Sequence, residues 1–108
     1  RYSPVQDDQQ TPVILNAETL QVTVYGKEAE LTAIEFNLLK ILSSEPGRIY
    51  SRSQLINQAY QDHRVVSERT IDSHIKKLRK KLNNIKPDAE LVKSVYSLGY
   101  KFEIRAVK

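Results

Sequence analysis

The chain has 108 residues, which is enough for a single domain with one modest hydrophobic core. It contains no run of about 18 apolar residues and does not begin like a signal peptide, so we expect a soluble protein inside the cell. The sequence has no cysteine, which excludes disulfide bonds, thiolate metal sites and a cysteine nucleophile.

The net charge of +4 is unevenly distributed along the sequence. Residues 1–47 contain three basic and seven acidic side chains, whereas residues 48–108 contain fourteen basic and six acidic ones. The first segment is therefore negative (−4) and the second positive (+8). This division indicates a polyanionic partner on the C-terminal half, with nucleic acid as the first candidate and an anionic membrane surface as the second.

Residues 1–12 have the composition of a linker, with two prolines, several polar residues and little to bury. We therefore expect another domain upstream of them and one folded domain over residues 13–108. That domain opens with short apolar segments at 13–15, 20–24 and 29–31, separated by a turn at Tyr25 and Gly26. The alternation predicts two or three antiparallel strands with one buried face.

Two helices are predicted from their start signals. Thr32 and Glu35 have the spacing of a capping box, and the helix that follows ends before Pro46. Its apolar residues cover more than half of the helix circumference, so we expect it to be the most buried helix. Ser51 and Gln54 repeat the capping box, which predicts a second helix running to about residue 60.

A third helix is predicted within residues 65–85, where Ser67 is placed to cap and Val66 to pack against Ile71. At 100° per residue, its apolar residues fall within roughly 80° of arc, which predicts a buried seam. The seam consists of Ile71, Ile75, Leu78, Leu82 and Ile85. The opposite, outward face carries Arg69, Ser73, Lys76, Lys77 and Lys80.

A C-terminal hairpin is predicted by the segments LVKSV and YKFEI around a YSLG turn. Gly99 is placed to supply a positive φ, and Phe102 and Ile104 share one face. The lysines of this hairpin, Lys93 and Lys101, lie beside a helix that is already basic.

The predicted fold class is α+β: an N-terminal antiparallel sheet, three helices and a C-terminal hairpin wing. A helix that is basic along one face fits the major groove of B-DNA, which is about 12 Å wide. The pattern therefore predicts a winged helix-turn-helix domain that binds DNA. There are three alternatives to this interpretation. One is a basic face that is only solvated. The others are a winged-helix module that binds an acidic protein, and a domain that binds RNA or binds duplexes nonspecifically.

Four segments form a specific combination in this order: LTAIEFNLLKIL, GRIYSRSQLI, RTIDSHIKKLRKKL and SVYSLGYKF. With them the chain resembles, over about residues 13–105, the effector domain of OmpR/PhoB-type response regulators. The resemblance implies a bacterial, cytoplasmic transcription factor whose receiver domain, missing here, is phosphorylated by a sensor histidine kinase. It also implies a homodimer on direct repeats of promoter DNA, with the third helix in the major groove and the wing in the minor groove.

The resemblance also implies which residues contact DNA. The matching helix positions are Arg69, His74, Lys76, Lys77 and Arg79, and the matching wing positions are Ser94, Tyr96 and Lys101. The helical wheel adds Ser73 and Lys80 to the outward face and sets His74 and Arg79 at its flanks, where phosphate contact is favoured over base reading. Many relatives carry a wing arginine that this chain lacks, so Tyr96 would act by hydrogen bonding or packing.

The loop between the second and third helices matches the family segment that contacts RNA polymerase. Its residues are Gln61, Asp62, His63, Arg64, Val65 and Val66. Solvation of Asp62 and Arg64 is the competing interpretation.

The remaining candidates have structural interpretations beside functional ones. Asp72 is spaced to pair with Arg69 and Lys76, either orienting them for DNA or forming a plain surface pair. Tyr96 and Tyr100 are expected to pack on strands more often than to stack on bases. The two histidines lack a supporting acid cluster, so we expect no metal. Neither a nucleophile–base pair nor a glycine-rich phosphate loop is present, so we expect no enzyme and no cofactor.

Overall fold

The computed structural model describes residues 13–60, 67–85, 87 and 91–103. The predicted linker, residues 1–12, lies outside this part of the chain. The first sheet consists of β1 (Val13–Asn16), β2 (Gln21–Val24) and β3 (Lys27–Glu30). The helices are α1 (Ala33–Ser44), α2 (Arg52–Ala59) and α3 (Glu68–Ile85). The second sheet consists of β4 (Ile49–Tyr50), β5 (Val92–Val95) and β6 (Gly99–Phe102).

The N-terminal sheet is antiparallel in the order β1-β2-β3, as predicted. Val13 pairs with Val24, and both side chains are buried together with Val22. The turn between β2 and β3 has a positive φ at Tyr25 (48°) and Gly26 (85°), at the two positions where the sequence places it. The sheet therefore presents one apolar face to the helices.

Both predicted capping boxes are present. The Thr32 hydroxyl accepts from the Glu35 N–H at 3.2 Å, and Glu35 Oε1 accepts from the Thr32 N–H at 3.0 Å. At α2, the Ser51 hydroxyl accepts from the Gln54 N–H at 3.1 Å, and Gln54 Oε1 accepts from the Ser51 N–H at 2.9 Å. Each box satisfies two backbone N–H groups that a helix start leaves unpaired, which is why the helices begin there.

One hydrophobic core joins the two sheets and the three helices. Helix α1 is the most buried of the three, as its apolar circumference predicts, with five of its 12 residues buried against four of 18 in α3. The seam of α3 is confirmed, because four of its five predicted residues are buried and Ile85 is partly buried against the core. These four are Ile71, Ile75, Leu78 and Leu82. Burying the seam fixes which face of α3 points outward.

The C-terminal hairpin belongs to a three-stranded sheet in the order β4-β6-β5. Strand β4, two residues between α1 and α2, was not predicted; Tyr50 pairs with Tyr100 of β6. Gly99 has φ +142°, and a Cβ there would overlap the carbonyl oxygen of Tyr50 and lie 2.9 Å from Ser51 Cα. Glycine is thus required both by the predicted positive φ and by this close approach. Ile104 lies outside the described residues.

Within the described ranges, no helix is both long enough and apolar enough to cross a lipid bilayer.

Candidate nucleic-acid interface

The outward face of α3 is an exposed cationic surface 18 residues long. The helix begins at Glu68, directly after Ser67, and the Thr70 N–H donates to the Ser67 carbonyl oxygen at 3.1 Å. Five side chains of the predicted face are exposed, and the buried seam lies on the opposite side of the helix. They are Arg69, Ser73, Lys76, Lys77 and Lys80.

The two flanking residues lie in different surroundings. His74 is half-buried, whereas Arg79 is exposed and its Nη1 donates to the Ser94 hydroxyl at 3.3 Å. Because Ser94 is on β5, this hydrogen bond places the wing directly beside the basic face. Arg79 and Ser94 were both predicted to contact DNA, and the structure brings them together.

The expectation for Asp72 was wrong. Instead of pairing with its neighbours along the helix, Asp72 Oδ1 accepts from Arg52 Nε at 2.7 Å and from the Tyr100 hydroxyl at 2.6 Å. Both partners are distant in sequence, 20 and 28 residues away. Asp72 therefore connects the start of α2, the N-terminal part of α3 and strand β6, and is a structural link between the helices and the wing.

The hydrogen bonds of this network set its ionisation. Burial raises the pKa of Asp72, but the Tyr100 hydroxyl and the Arg52 guanidinium lower it by more, so its pKa lies below the ordinary value. Burial and the bond to Asp72 raise the pKa of Tyr100. The network thus consists of a charged aspartate and a neutral tyrosine at physiological pH, while the Arg52 guanidinium lies 6.0 Å from the Tyr100 ring.

The wing lysines are paired with an acid. Lys93 Nζ lies 3.0 Å from Glu103 Oε1, and Lys101 Nζ lies 3.4 Å from Glu103 Oε2. The hydrogen bonds from Lys93 and then Lys101 lower the pKa of Glu103, which keeps it charged at neutral pH. Lys101, predicted to contact DNA, therefore has a competing anion within the domain.

The two wing tyrosines differ from each other. Tyr100 is buried and packs in the sheet, as expected. Tyr96 lies in the turn and is 94% exposed, so the expectation that it packs on a strand was wrong. It is beyond the end of β5, where no core surface faces it, and this position was not apparent from its place between Val95 and Ser97.

One lysine of α3 points inward instead of outward. Lys81 Nζ lies 2.6 Å from Oε1 of Glu35, whose side chain is 1% exposed. Desolvation raises the pKa of Glu35, but the hydrogen bond from Lys81 and those of the capping box outweigh it, so the pKa lies below its ordinary value. This pair is not apparent from the sequence, because its members are 46 residues apart.

The loop predicted to contact RNA polymerase, residues 61–66, lies outside the described residues, and His63 lies with it. Across residues 13–60, 67–85, 87 and 91–103, no group of three or more metal-binding side chains is present. A groove between α1 and α2 is lined by residues of those helices and not by α3, and so is separate from the basic face.

A three-helix core and a hairpin beside an outward cationic helix define a winged-helix domain of the nucleic-acid-binding class. Residues 26–102 match the family model described as "Transcriptional regulatory protein, C terminal". The chain belongs to this family, whose members are DNA-binding regulator domains of the OmpR/PhoB type and not enzymes.

Curated relatives carry the same description. The transcriptional regulatory protein BaeR of Escherichia coli O6:H1 is 46% identical over 103 residues, which cover 95% of this chain and 43% of BaeR. ResD of Bacillus subtilis is 39% identical over 87 residues, covering 80% of this chain and 36% of ResD. The segments YQDHRVVSERTIDSHI and VYSLGY in the sequence indicate a BaeR-like member, and the match confirms that interpretation. The chain spans less than half the length of these relatives.

Solved structures of regulator DNA-binding domains have a similar fold. The DNA-binding domain of the response regulator AdeR, crystallised in complex with an intercistronic region, has a TM-score of 0.75 and 25% identity, covering 88% of this chain and 97% of AdeR's. The DNA-binding domain of CpxR from E. coli has a TM-score of 0.71 and 29% identity, covering 88% of this chain and 93% of CpxR's.

Proposed function

We propose that this domain binds double-stranded DNA sequence-specifically as the effector domain of a two-component response regulator that controls transcription. The observation that carries the proposal is the outward face of α3, where four cations and Ser73 are exposed opposite a buried seam and beside the wing. The 18 residues of α3 are about 27 Å long, so one face can follow the major groove across several base pairs.

The length and position of each α3 side chain determine whether we assign it to the bases or to the phosphates. Arg69, Lys76 and Lys77 point directly outward and can donate to guanine O6 and N7, while Ser73 is short enough to let the helix approach the bases. Lys80 faces the groove with them, and the flanking residues His74 and Arg79 are assigned to phosphates, which fix the helix in the groove without reading sequence. On the wing, Ser94, Tyr96 and Lys101 are assigned to the adjacent groove or its backbone.

The regulatory part of the proposal concerns the longer protein. Residues 13–108 form the DNA-binding domain, and residues 1–12 link it to a receiver that a sensor histidine kinase phosphorylates. Phosphorylation promotes homodimerisation on direct repeats in promoters, and residues 61–66 contact RNA polymerase. Support comes from the curated relatives, which are named transcriptional regulatory proteins and are more than twice as long as the matched segment.

The test is selection of bound duplexes from a random pool, followed by affinity measurements in salt. One sequence should be enriched, and its affinity should fall about 10³-fold or more between 50 and 200 mM salt if six or more phosphates are contacted. Lys27→Ala, which removes an exposed charge from β3, is the control and should bind normally. Equal binding to all duplexes would leave a nonspecific binder, and no binding would leave a protein-interaction module.

A further inference from the structure

Arg52, the first residue of α2, lies at the edge of the basic face of α3. Its Nε donates to Oδ1 of Asp72, a residue of α3, at 2.7 Å. Asp72 lies about 40° around the helix from Lys76 and about 60° from Arg69, both of which are on the outward face. The pair of Arg52 and Asp72 is therefore at the border between the outward face and the body of the domain.

The guanidinium of Arg52 is anchored at one of its three nitrogens. Within the part of the chain that the structure describes, the Nε bond is the one hydrogen bond that Arg52 makes, and its side chain is 39% exposed. The Tyr100 hydroxyl donates to the same Asp72 oxygen at 2.6 Å, and the Tyr100 ring centre lies 6.0 Å from the guanidinium carbon. The acceptor of Arg52 is thus held in place, while both Nη groups are available to an outside anion.

Arg79 lies on the same flank of α3 as Asp72. The seven residues between them make about two helical turns, so the two differ by only about 20° around the helix and by about 10 Å along it. Both also bond the wing, Arg79 through Ser94 and Asp72 through Tyr100. When a helix lies in the major groove, each of its flanks faces one of the two sugar–phosphate backbones. Arg52 and Arg79 therefore face the same strand.

An arginine anchored in this way is suited to a phosphate. The two Nη groups of a guanidinium can donate to two oxygens of one phosphate. Because Nε is already bonded to Asp72, less side-chain freedom is lost when the phosphate binds. The position on the flank of α3 faces the backbone of the duplex and not the floor of the groove, which excludes base reading by Arg52.

We propose that Arg52 is a further DNA contact: it binds one phosphate of the strand that Arg79 contacts, and Asp72 is the positioning residue that holds it there. This inference rests on the proposed DNA binding and extends the interface from α3 and the wing to the start of α2. It also explains how an acid that is 40% exposed is accommodated beside a polyanion, because the charge of Asp72 is offset by the residue that it positions.

The first experiment measures the salt dependence of Kd for Arg52→Gln on a duplex selected from a random pool. Loss of one phosphate contact should raise Kd about 8-fold at about 0.1 M salt and should reduce the slope of log Kd against log salt by about 0.9. Arg48→Gln is the matched control, since Arg48 is also exposed and paired with an acid, Glu45 at 3.0 Å, but lies between α1 and β4. It should leave both quantities unchanged.

A double variant separates a phosphate contact from a simple balance of charge. Arg52→Gln/Asp72→Asn has the same net charge as the unmodified domain, because one cation and one anion are removed together. If Arg52 contacts a phosphate, the double variant should keep the reduced slope. Recovery of the original slope and Kd would show that Arg52 only neutralises Asp72, and would overturn the inference. Circular dichroism gives the folded fraction of each variant, so Kd is compared per folded molecule.

Duplexes with single methylphosphonates, in which a methyl group replaces one charged phosphate oxygen, locate the contact. One substituted position should weaken binding of the unmodified domain about 8-fold and have no effect on Arg52→Gln. That position should be on the same strand as the one that has no effect on Arg79→Gln.

Two results of this mapping would overturn the inference while DNA binding stands. In one, Arg52→Gln responds to every substituted phosphate as the unmodified domain does. In the other, the phosphates assigned to Arg52 and Arg79 are on opposite strands. If the selection yields no preferred duplex, the proposed function fails, and this inference fails with it.

Discussion

The lysines of α3 and the lysines of the wing have different electrostatic surroundings. On the helix, Lys76, Lys77 and Lys80 are exposed, and none of the ion pairs within the described residues includes them. On the wing, Lys93 and Lys101 share Glu103. The two basic surfaces therefore differ, since the lysines of the helix face are exposed outside these ion pairs and the charge of the wing lysines is already partly neutralised. Salt-dependent affinity should come mainly from α3.

The exposure of the α3 lysines depends on the buried seam, because the seam determines which face of the helix points outward. Leu78 is fully buried, and Leu78→Ala should lower the free energy of unfolding by about 2 to 5 kcal/mol, because it removes buried apolar atoms and leaves a cavity. Chemical denaturation measures this. Ser73→Ala, on the outward face, is the control and should change stability by less than about 0.5 kcal/mol. An unchanged unfolding midpoint for Leu78→Ala would contradict the seam assignment.

The variants Arg69→Ala and Lys76→Ala test whether the exposed cations of α3 contact DNA. Each should weaken binding to the selected duplex by about 1 to 3 kcal/mol and relax specificity if the side chain reads a base. A uniform loss on all sequences, with a salt slope smaller by about 0.9, would show that the side chain contacts only a phosphate. Lys27→Ala removes the same charge from β3 and isolates the effect of position.

Lys81 differs from the exposed lysines of α3, because it follows Lys80 in sequence but is paired with buried Glu35. Glu35→Gln keeps an oxygen to accept from the Thr32 N–H and removes the charge, so stability at neutral pH should fall by about 1 to 2 kcal/mol. DNA affinity per folded molecule should not change.

The same variant should alter the pH dependence of stability. The pKa of Glu35 is lowered in the folded state, so its contribution is present above the ordinary glutamate value of about 4.3 and is lost as the pH falls through the lower folded pKa. When the pH is lowered from 7 to 3, the Tm of Glu35→Gln should therefore fall less steeply than the Tm of the unmodified domain. If the Tm of the two proteins fell in parallel with pH, the lowered pKa assigned to Glu35 would be contradicted.

The smallest effect is expected from removing the acid of the wing. Glu103→Gln frees Lys93 and Lys101, so DNA affinity at low salt should rise about threefold and the salt slope should steepen. Glu18→Gln removes an exposed acid from the loop between β1 and β2 and is the control. An unchanged slope for Glu103→Gln would mean that the wing lysines do not approach phosphates even when free.

Features set by local spacing were predictable from the sequence. The capping boxes at Thr32 and Ser51 depend on residues three positions apart, and the seam of α3 depends on a helical period. Both were confirmed, as were the antiparallel N-terminal sheet and the family. The structure also exposes the five predicted outward side chains of α3, although their roles in contacting DNA stay predictions.

Features set by distant pairing were not predictable in this way. Asp72 has two plausible cations on its own helix, but it bonds Arg52 and Tyr100 across the domain. The partner of Lys81 lies on α1, and strand β4 has only two residues and exists because β6 pairs with it. The periodic spacing of residues within one helix or strand carries no information about such partners, because they depend on how separate elements pack.

The packing of Gly99 against Tyr50 has a consequence for any bound duplex. Strand β4 lies in the connection between α1 and α2, and β6 is both its partner and one arm of the wing. Pairing with β4 therefore ties this arm of the wing to the connection between two helices, which restrains the position of the wing relative to α3. For a domain bound as proposed, the double helix has to make the adjustment. Base-pair steps that deform cheaply, such as TA and CA/TG, should then be favoured even where no side chain touches them.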